Sequence, residues 1–229
     1  MHSENPMMIL FSRLAVLLFF ALSYVNSFRV YHRGPLLKRN ALSLSNSPQN
    51  VQSCTFSGPG CVLLSKPEQL ENLLMRSVVV ITEHNDKGSA GQIVNKPTGW
   101  NMEEMAYETG EFKGNLLFKG GENGQDTAIM VHKYDLGGYS KLLGNGIYIG
   151  GSKQAREKVR TLETHPRDFK FIFNSIQWQP GVLKSEIENG DWDVCQVPVD
   201  MLIQQDEEWV DRLWLTLRTA LNLPIIATK

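Results

Sequence analysis

The sequence predicts a single α+β domain preceded by a basic leader. About 170 residues follow Gly58, which is the size of one domain with a substantial core, and no repeat or Pro/Ser-rich linker divides them. Strand-like segments outnumber helical ones, and many neighbouring strands are separated only by short turns. This arrangement favours an α+β fold over a doubly wound α/β sheet.

Eight segments have the short, apolar composition of strands, and several of them are rich in β-branched or aromatic residues. They are residues 61–64, 77–82, 90–94, 116–118, 127–131, 147–149, 169–173 and 192–197. The segment His84–Gly88 is made of turn-forming residues and joins the second strand to the third. It predicts a hairpin with a five-residue loop.

Helical segments are expected between and after these strands, at residues 67–75, 102–107, 152–162, 182–188 and 206–221. Asn101 is suited to cap the second helix, and Ser152 is suited to cap the third. In the third helix Ala155, Val159 and Leu162 have the spacing of one buried stripe. Asn189-Gly190 predicts a left-handed end to the fourth helix.

The last helix should pack into the core. Its apolar residues recur at helical spacing and include two tryptophans, Trp209 and Trp214. The acidic residues at 206–208 lie at its N-terminus, where the helix dipole favours negative charge.

The leader predicts the compartment to which the protein is targeted. The unbroken apolar run Leu14–Leu22 is too short for a membrane span and fits a signal peptide over residues 1–27. Residues 28–57 are rich in Arg, Lys and Ser and contain no acid, as in organellar transit segments. Together they resemble the bipartite leaders of algal plastid proteins, so a plastid is expected; the alternative is the secretory pathway. The mature domain, residues 58–229, should have no membrane span.

Charge argues against strong nucleic-acid binding. Residues 68–229 contain 23 of the 24 acidic and 17 of the 23 basic side chains, a formal net charge of −6. Nucleic-acid modules usually concentrate Lys and Arg to neutralise phosphates. The basic helix face around Arg156 and Arg160 is interrupted by Glu157 and is expected to be a solvated surface.

Short sequence blocks resemble the AlgH/YqgE family across residues 58–224. They include Glu83-His84-Asn85, Val94-Asn95-Lys96-Pro97, Phe118-Lys119-Gly120-Gly121 and Trp178-Gln179-Pro180-Gly181. The resemblance implies an antiparallel or mixed, barrel-like β core flanked by helices, but no reaction. The chain departs from the family pattern at Glu122, where proline is usual, and at Asn174–Gln177, where a glycine-rich segment with a tyrosine is usual.

Arg76, Glu83, Asn95 and His132 are the candidate site residues, because each is a polar group at the end of an apolar strand. If these side chains converge, they would line a small polar pocket; otherwise they hold turns together. No nucleophile elbow, phosphate-binding loop or H-E-x-x-H motif is present, so no catalytic residue, metal site or cofactor is predicted.

Three functions follow as hypotheses. The first is a non-catalytic regulatory or interaction protein of the AlgH/YqgE type that binds an unidentified protein partner. The second is a small-molecule-binding protein or hydrolase with a pocket around Arg76, Asn95 and His132. The third is a DNA-binding transcriptional regulator, a label that family members often carry.

Overall fold

The computed structural model describes residues 9–10, 50–69, 73–106 and 109–226, and in this part of the chain twelve strands form one sheet. The strands are β1 (Ile9–Leu10), β2 (Gln52–Ser53), β3 (Val62–Ser65), β4 (Val78–Asn85), β5 (Gly88–Ile93), β6 (Pro97–Asn101), β7 (Leu116–Lys119), β8 (Asn123–His132), β9 (Ser140–Gly144), β10 (Ile147–Gly150), β11 (Lys170–Trp178) and β12 (Trp192–Gln196). The helices are α1 (Met102–Met105), α2 (Ser152–Arg160), α3 (Val182–Glu188), α4 (Val199–Leu202) and α5 (Glu207–Ala220). None of these helices is long and apolar enough to cross a membrane.

The sheet is mostly antiparallel and remains open. Its main path runs β2-β12-β3-β4-β5-β11-β8-β10-β9, with β1 paired to β8 and β6 paired to β7. The pairing of β7 with β11 is parallel. The prediction of a single α+β domain is therefore confirmed, and the expected barrel-like core takes the form of a curled sheet that does not close.

The last helix lies against the inner face of this curl. Val80 of β4 and Ile149 of β10 belong to one core cluster, although their strands are far apart along the sheet. The same cluster contains four buried side chains of α5: Val210, Leu213, Trp214 and Leu217. Burial of each such side chain contributes about 1.5–3 kcal/mol. We call this side of the sheet the curled face.

Two smaller cores cover the opposite face. One contains Phe171 of β11 and Ala155 and Val159 of α2. The other contains Trp178, Leu183 of α3 and Trp192. Ala155 and Val159 confirm part of the buried stripe expected for α2. The strand β12 was expected to be half-buried, but Trp192 packs on this face while Cys195 is buried on the curled face.

Several element boundaries differ from those expected. The loop between β4 and β5 contains only Asp86 and Lys87, since β4 continues to Asn85, and Asn85 pairs with Gly88. A helical turn or a short helix was expected over 67–75; residues 67–68 and 73–76 form turns and no helix, and residues 70–72 lie outside the described ranges. Leu162 follows the end of α2 and is 89% exposed, because its positive φ of 62° belongs to a turn.

Five short elements were not expected from the sequence: β1, β2, β6, β9 and α4. β6 contains proline, glycine and asparagine, which seldom occur in strands. The expected cap of α1 is present. Asn101 Oδ1 accepts from Glu104 N at 3.1 Å, and Asn101 N donates to Glu104 Oε2 at 2.8 Å. Gly151, rather than Ser152, caps α2.

Candidate functional site

Asn95 and Arg76 lie together at the turn before β4. Asn95 Oδ1 accepts a hydrogen bond from Val78 N at 2.8 Å, and its Nδ2 donates to Arg76 O at 2.9 Å. Arg76 has a φ of 52°, in the left-handed region that non-glycine residues seldom adopt. Its guanidinium carbon lies 5.8 Å from the centroid of the Trp214 ring, within cation–π range. Both ends of the Asn95 amide are thus engaged in fixing this turn.

His132 is completely buried at the end of β8. Its Nδ1 accepts from Tyr134 N at 3.2 Å, which leaves the proton on Nε2, and Nε2 donates to Gly150 O at 2.9 Å. The Phe169 ring lies 5.4 Å away, centroid to centroid. Burial lowers the pKa of His132 below its ordinary value, so the ring is neutral at physiological pH. Both ring nitrogens therefore hold the fold together.

Glu83 is exposed near the end of β4, where it pairs with Ala90 across the hairpin. It lines a shallow depression of about 280 Å³ with Lys87 and Gln179 among its neighbours. Arg76 and Asn95 are brought together, whereas no contact between described residues joins either of them to Glu83 or His132.

A different group of polar side chains lines a pocket where β5, β8 and β11 meet on the curled face. The cavity has a volume of about 230 Å³. Its lining residues are Gln92 from β5, Asn123, Gly124, Thr127 and Ile129 from β8, and Ile172, Asn174, Ser175 and Gln177 from β11. We call this cavity the amide pocket, because four of these residues are asparagine or glutamine.

A bulge in β11 shapes the amide pocket. Asn174 has a φ of 63°, and the register of β11 against β8 shifts between Phe173 and Ser175. Glycines allow the neighbouring backbone to approach this bulge. A Cβ at Gly121 would lie 2.0 Å from Ser175 O, and one at Gly124 would lie 2.0 Å from Asn174 Oδ1. Larger residues at these two positions would therefore push the bulge and β8 apart.

The amide pocket contains unsatisfied acceptors. Gln92 Oε1 and Asn174 Oδ1 are buried, and neither has a hydrogen-bond partner among the described residues. Among the described residues, none of the nine that line the pocket carries a charge. An unsatisfied buried acceptor costs about 1–3 kcal/mol, so native structures usually provide a partner. Because both oxygens are closed off from solvent, they lower the stability of the fold here.

The buried side chain of Lys170, outside the amide pocket, binds backbone carbonyls of the protein itself. Lys170 is fully buried; its Nζ donates to Val94 O at 2.7 Å and Leu202 O at 2.9 Å and lies 3.9 Å from the centroid of the Phe118 ring. Burial holds the pKa of Lys170 well below its ordinary value. These contacts tie β11 to α4 and to the segment after β5, so Lys170 supports the core.

Two of the three cysteine thiols are unsuited to nucleophilic chemistry. Cys54, Cys61 and Cys195 are all free. Burial raises the pKa of Cys54 to about 11 and that of Cys195 to about 12, so both remain protonated at neutral pH. Within the described ranges, no three His, Cys, Asp or Glu side chains are grouped so as to hold a metal ion.

The outer edge of β8 borders the amide pocket. Ala128 pairs with Phe173 of β11 on one side, so its pairing with Ile9 must lie on the opposite side. We call this opposite side, from Asn123 to Met130, the outer edge. β10 begins to pair with β8 only at Val131 and His132. As far as the structure describes the chain, Ile9–Leu10 is the one segment that pairs with the outer edge.

Curated relatives resemble most of the chain. A UPF0301 protein of Chlorobium chlorochromatii is 29% identical over 157 residues, which cover 68% of this chain and 81% of the relative. A UPF0301 protein of Methylococcus capsulatus is 25% identical over 172 residues, which cover 72% and 92%, respectively. Neither name states an activity.

Two solved structures have a similar fold. Protein DIP2367 of Corynebacterium diphtheriae matches with a TM-score of 0.58 and 23% identity over 71% of this chain and 92% of that chain. The AlgH protein of Pseudomonas aeruginosa matches with a TM-score of 0.52 and 20% identity over 68% and 88%. The family model described as AlgH-like matches residues 62–222. The chain therefore belongs to the AlgH-like family.

Proposed function

We propose that this AlgH-like protein is a non-catalytic interaction protein with a regulatory role, which binds an extended segment of a partner polypeptide along the outer edge of β8. The observation that carries the proposal is the pairing of Ile9–Leu10 with Thr127 and Ala128 on that edge. A strand edge presents N–H and C=O groups that a further strand can satisfy. Ile9–Leu10 belongs to the predicted signal peptide, and its removal would leave the edge for a partner.

The charge of the domain suggests the chemistry of that partner. Residues 68–229 carry a formal net charge of −6, which favours a basic partner. The leader itself combines an apolar segment with Arg13 and contains no acid between Glu4 and Glu68. A partner segment that is extended, apolar and flanked by basic residues would match the same edge.

A peptide experiment tests this proposal. A labelled peptide of residues 5–14 is expected to bind residues 50–229 in trans, with a saturable increase in fluorescence anisotropy. The solved relatives support the use of this fragment, because matched residues make up 92% and 88% of their chains. A control peptide with proline at both Ile9 and Leu10 lacks two backbone donors and should bind at least about tenfold more weakly. Equal binding of the two peptides, or no binding of either, would contradict strand addition.

DNA binding is a weaker candidate because three of the four basic side chains of α2 are paired. Arg160 lies 3.0 Å from Glu111 and Lys158 lies 2.8 Å from Glu163, nitrogen to oxygen, while Arg156 lies 3.5 Å from Glu111. These carboxylates reduce the positive field that phosphates require. Gel-shift titration with duplex DNA at physiological salt should show negligible affinity, and tight, salt-sensitive binding would refute this expectation.

We propose that the protein works in a plastid or another organelle. The support is the sequence of the leader: an apolar segment too short to span a membrane, followed by an acid-free stretch rich in Arg, Lys and Ser. A fluorescent fusion of residues 1–60 expressed in an alga with secondary plastids should label the plastid. Fluorescence confined to the secretory pathway would count against this location.

A further inference from the structure

We infer that the protein forms a two-fold dimer through Leu162 and an apolar groove beside it, at the end of α2. The groove has a volume of about 510 Å³ and extends from α2 to the 3-10 turn Pro166–Asp168. We call it the α2 groove; its apolar lining residues are Tyr134, Val159, Leu162 and Pro166. None of them belongs to the outer edge of β8, so self-association here is independent of the proposed strand addition.

Leu162 is an unfavourable residue for its position. Glu163 N donates to Lys158 O at 2.9 Å, and Leu162 N donates to Val159 O at 3.1 Å. These bonds form a Schellman motif with Leu162 at the left-handed position, where its φ is 62°. Glycine is preferred there, because a Cβ strains this backbone conformation.

The side chain of Leu162 adds a second cost, since it is 89% exposed. One residue therefore combines a strained backbone with an apolar side chain that water surrounds. Strain of this kind is concentrated at functional positions, where an interaction compensates for it. Burial of Leu162 against another molecule would provide that compensation.

The α2 groove is a suitable place for such a side chain. Val159 is buried and Tyr134 is half-buried, and both pack in the same core as Phe171. The protruding leucine and the groove thus belong to one surface patch. In a two-fold interface the same patch serves both partners, so the Leu162 of each copy can enter the α2 groove of the other.

The charges around the α2 groove favour a second copy over a charged partner. Lys158 Nζ lies 2.8 Å from Glu163 Oε2, and Lys133 Nζ lies 3.6 Å from Asp168 Oδ1. Because these charges are compensated within the chain, they neither repel another copy nor attract a strongly basic or acidic protein. Residues 68–229 carry a formal net charge of −6, so contact through unbalanced acidic surface would place like charges together.

Sedimentation equilibrium tests self-association. Residues 50–229, the fragment that the solved relatives support, should change from monomer to dimer between about 1 μM and about 500 μM, as expected for a small interface. Over the same range, the backbone NMR signals of residues 159–168 should shift with concentration. A monomer throughout, or concentration-dependent shifts confined to other residues, would overturn the inference.

Two leucine variants identify the contact. Leu162→Gly removes the side chain and suits the positive φ, so it should weaken self-association at least about tenfold without loss of folding. At about 1 μM its Tm should equal that of the parent or exceed it by up to about 4 °C. Leu215→Ala is the control, because it shortens a leucine of α5 that is 44% exposed, and it should leave self-association unchanged. A Leu162→Gly variant that dimerises like the parent, or an equal loss in both variants, would refute a contact through Leu162.

The outer edge of β8 is also free in residues 50–229 and needs its own control. The peptide of residues 5–14 is added in excess during sedimentation. A dimer held by Leu162 should persist, whereas dissociation by the peptide would assign the contact to β8 and contradict the role of the α2 groove.

Discussion

Several buried or half-buried polar side chains hold this fold together by hydrogen bonds, and Glu186 shows this most clearly. Its Oε2 accepts hydrogen bonds from Trp178 Nε1 and Trp192 Nε1, each at 2.8 Å. These bonds join β11, α3 and β12. His132 has a comparable role between Gly150 and Tyr134. Gln92 and Asn174 differ from these two residues because their buried oxygens have no partner in the described structure.

Truncation of Glu186 should destabilise the protein. Glu186→Ala leaves two indole N–H groups without their charged acceptor, so the free energy of unfolding should fall by about 2–4 kcal/mol. Urea denaturation measures the change. Glu188→Ala is the matched control, since Glu188 is exposed and lies 3.8 Å from Lys184 Nζ, and it should cost no more than about 0.5 kcal/mol. Similar effects of the two substitutions would disprove a structural role for Glu186.

The buried neutral His132 should make stability depend on pH. Its pKa is lowered in the fold, so the unfolded chain takes up a proton near pH 6.5 while the native ring does not. The contribution of neutral His132 to the free energy of unfolding is fully present above pH 6.5. It is lost as the pH falls toward the native pKa, at up to about 1.4 kcal/mol per pH unit.

His132→Gln removes this titration and supplies another side-chain donor that can reach Gly150 O. Denaturation between pH 7 and pH 5 should therefore show a shallower loss of stability in the variant. If the variant loses stability with falling pH as steeply as the parent protein, then His132 does not contribute to the pH dependence.

The bulge in β11 organises the elements around it. β11 pairs with β7 before Asn174 and with β5 after it, while its pairing with β8 continues past the bulge at Ser175, so one strand joins two parts of the sheet. Asparagine is one of the few non-glycine residues that adopt a positive φ readily. The glycines at the start of β8 allow this irregular backbone to pack closely against its neighbour.

Gly121→Ala tests this close packing. The new Cβ would lie 2.0 Å from Ser175 C and O, which are backbone atoms with little freedom to move. We expect a loss of about 1–3 kcal/mol in the free energy of unfolding. Gly114→Ala is the control, because no atom lies within 4 Å of a Cβ there, and its effect should stay within about 0.5 kcal/mol. Thermal denaturation distinguishes the two, and equal stability would show that β8 can move away from the bulge.

For the molecule as a whole, local sequence patterns predicted most of the fold but not the amide pocket. The β-branched run at 77–82, the cap of α1 and the apolar stripe of α5 depend on neighbours in sequence, which the chain itself displays. The amide pocket depends on residues 92, 123–129 and 172–177, which meet only after the sheet curls. An asparagine within an otherwise regular strand at 174 was the available signal of a bulge.

The same dependence on local sequence explains why the four candidate site residues do not form one pocket. Arg76, Glu83, Asn95 and His132 were chosen because they end apolar strands, but that position does not specify which strand ends are adjacent. The structure shows that Arg76 and Asn95 share a turn and that the other two lie elsewhere. The outer edge of β8 also depends on the order of strands in the sheet, which no local pattern states.

Amide hydrogen exchange along residues 123–130 tests most directly whether β8 offers an open edge. In residues 50–229, the amides that face β11 should exchange slowly, while those that face outward exchange quickly. Addition of the peptide of residues 5–14 should slow the outward amides and leave the control segment 170–173 unchanged. Uniformly slow exchange without the peptide, or exchange that the peptide does not alter, would contradict the proposal.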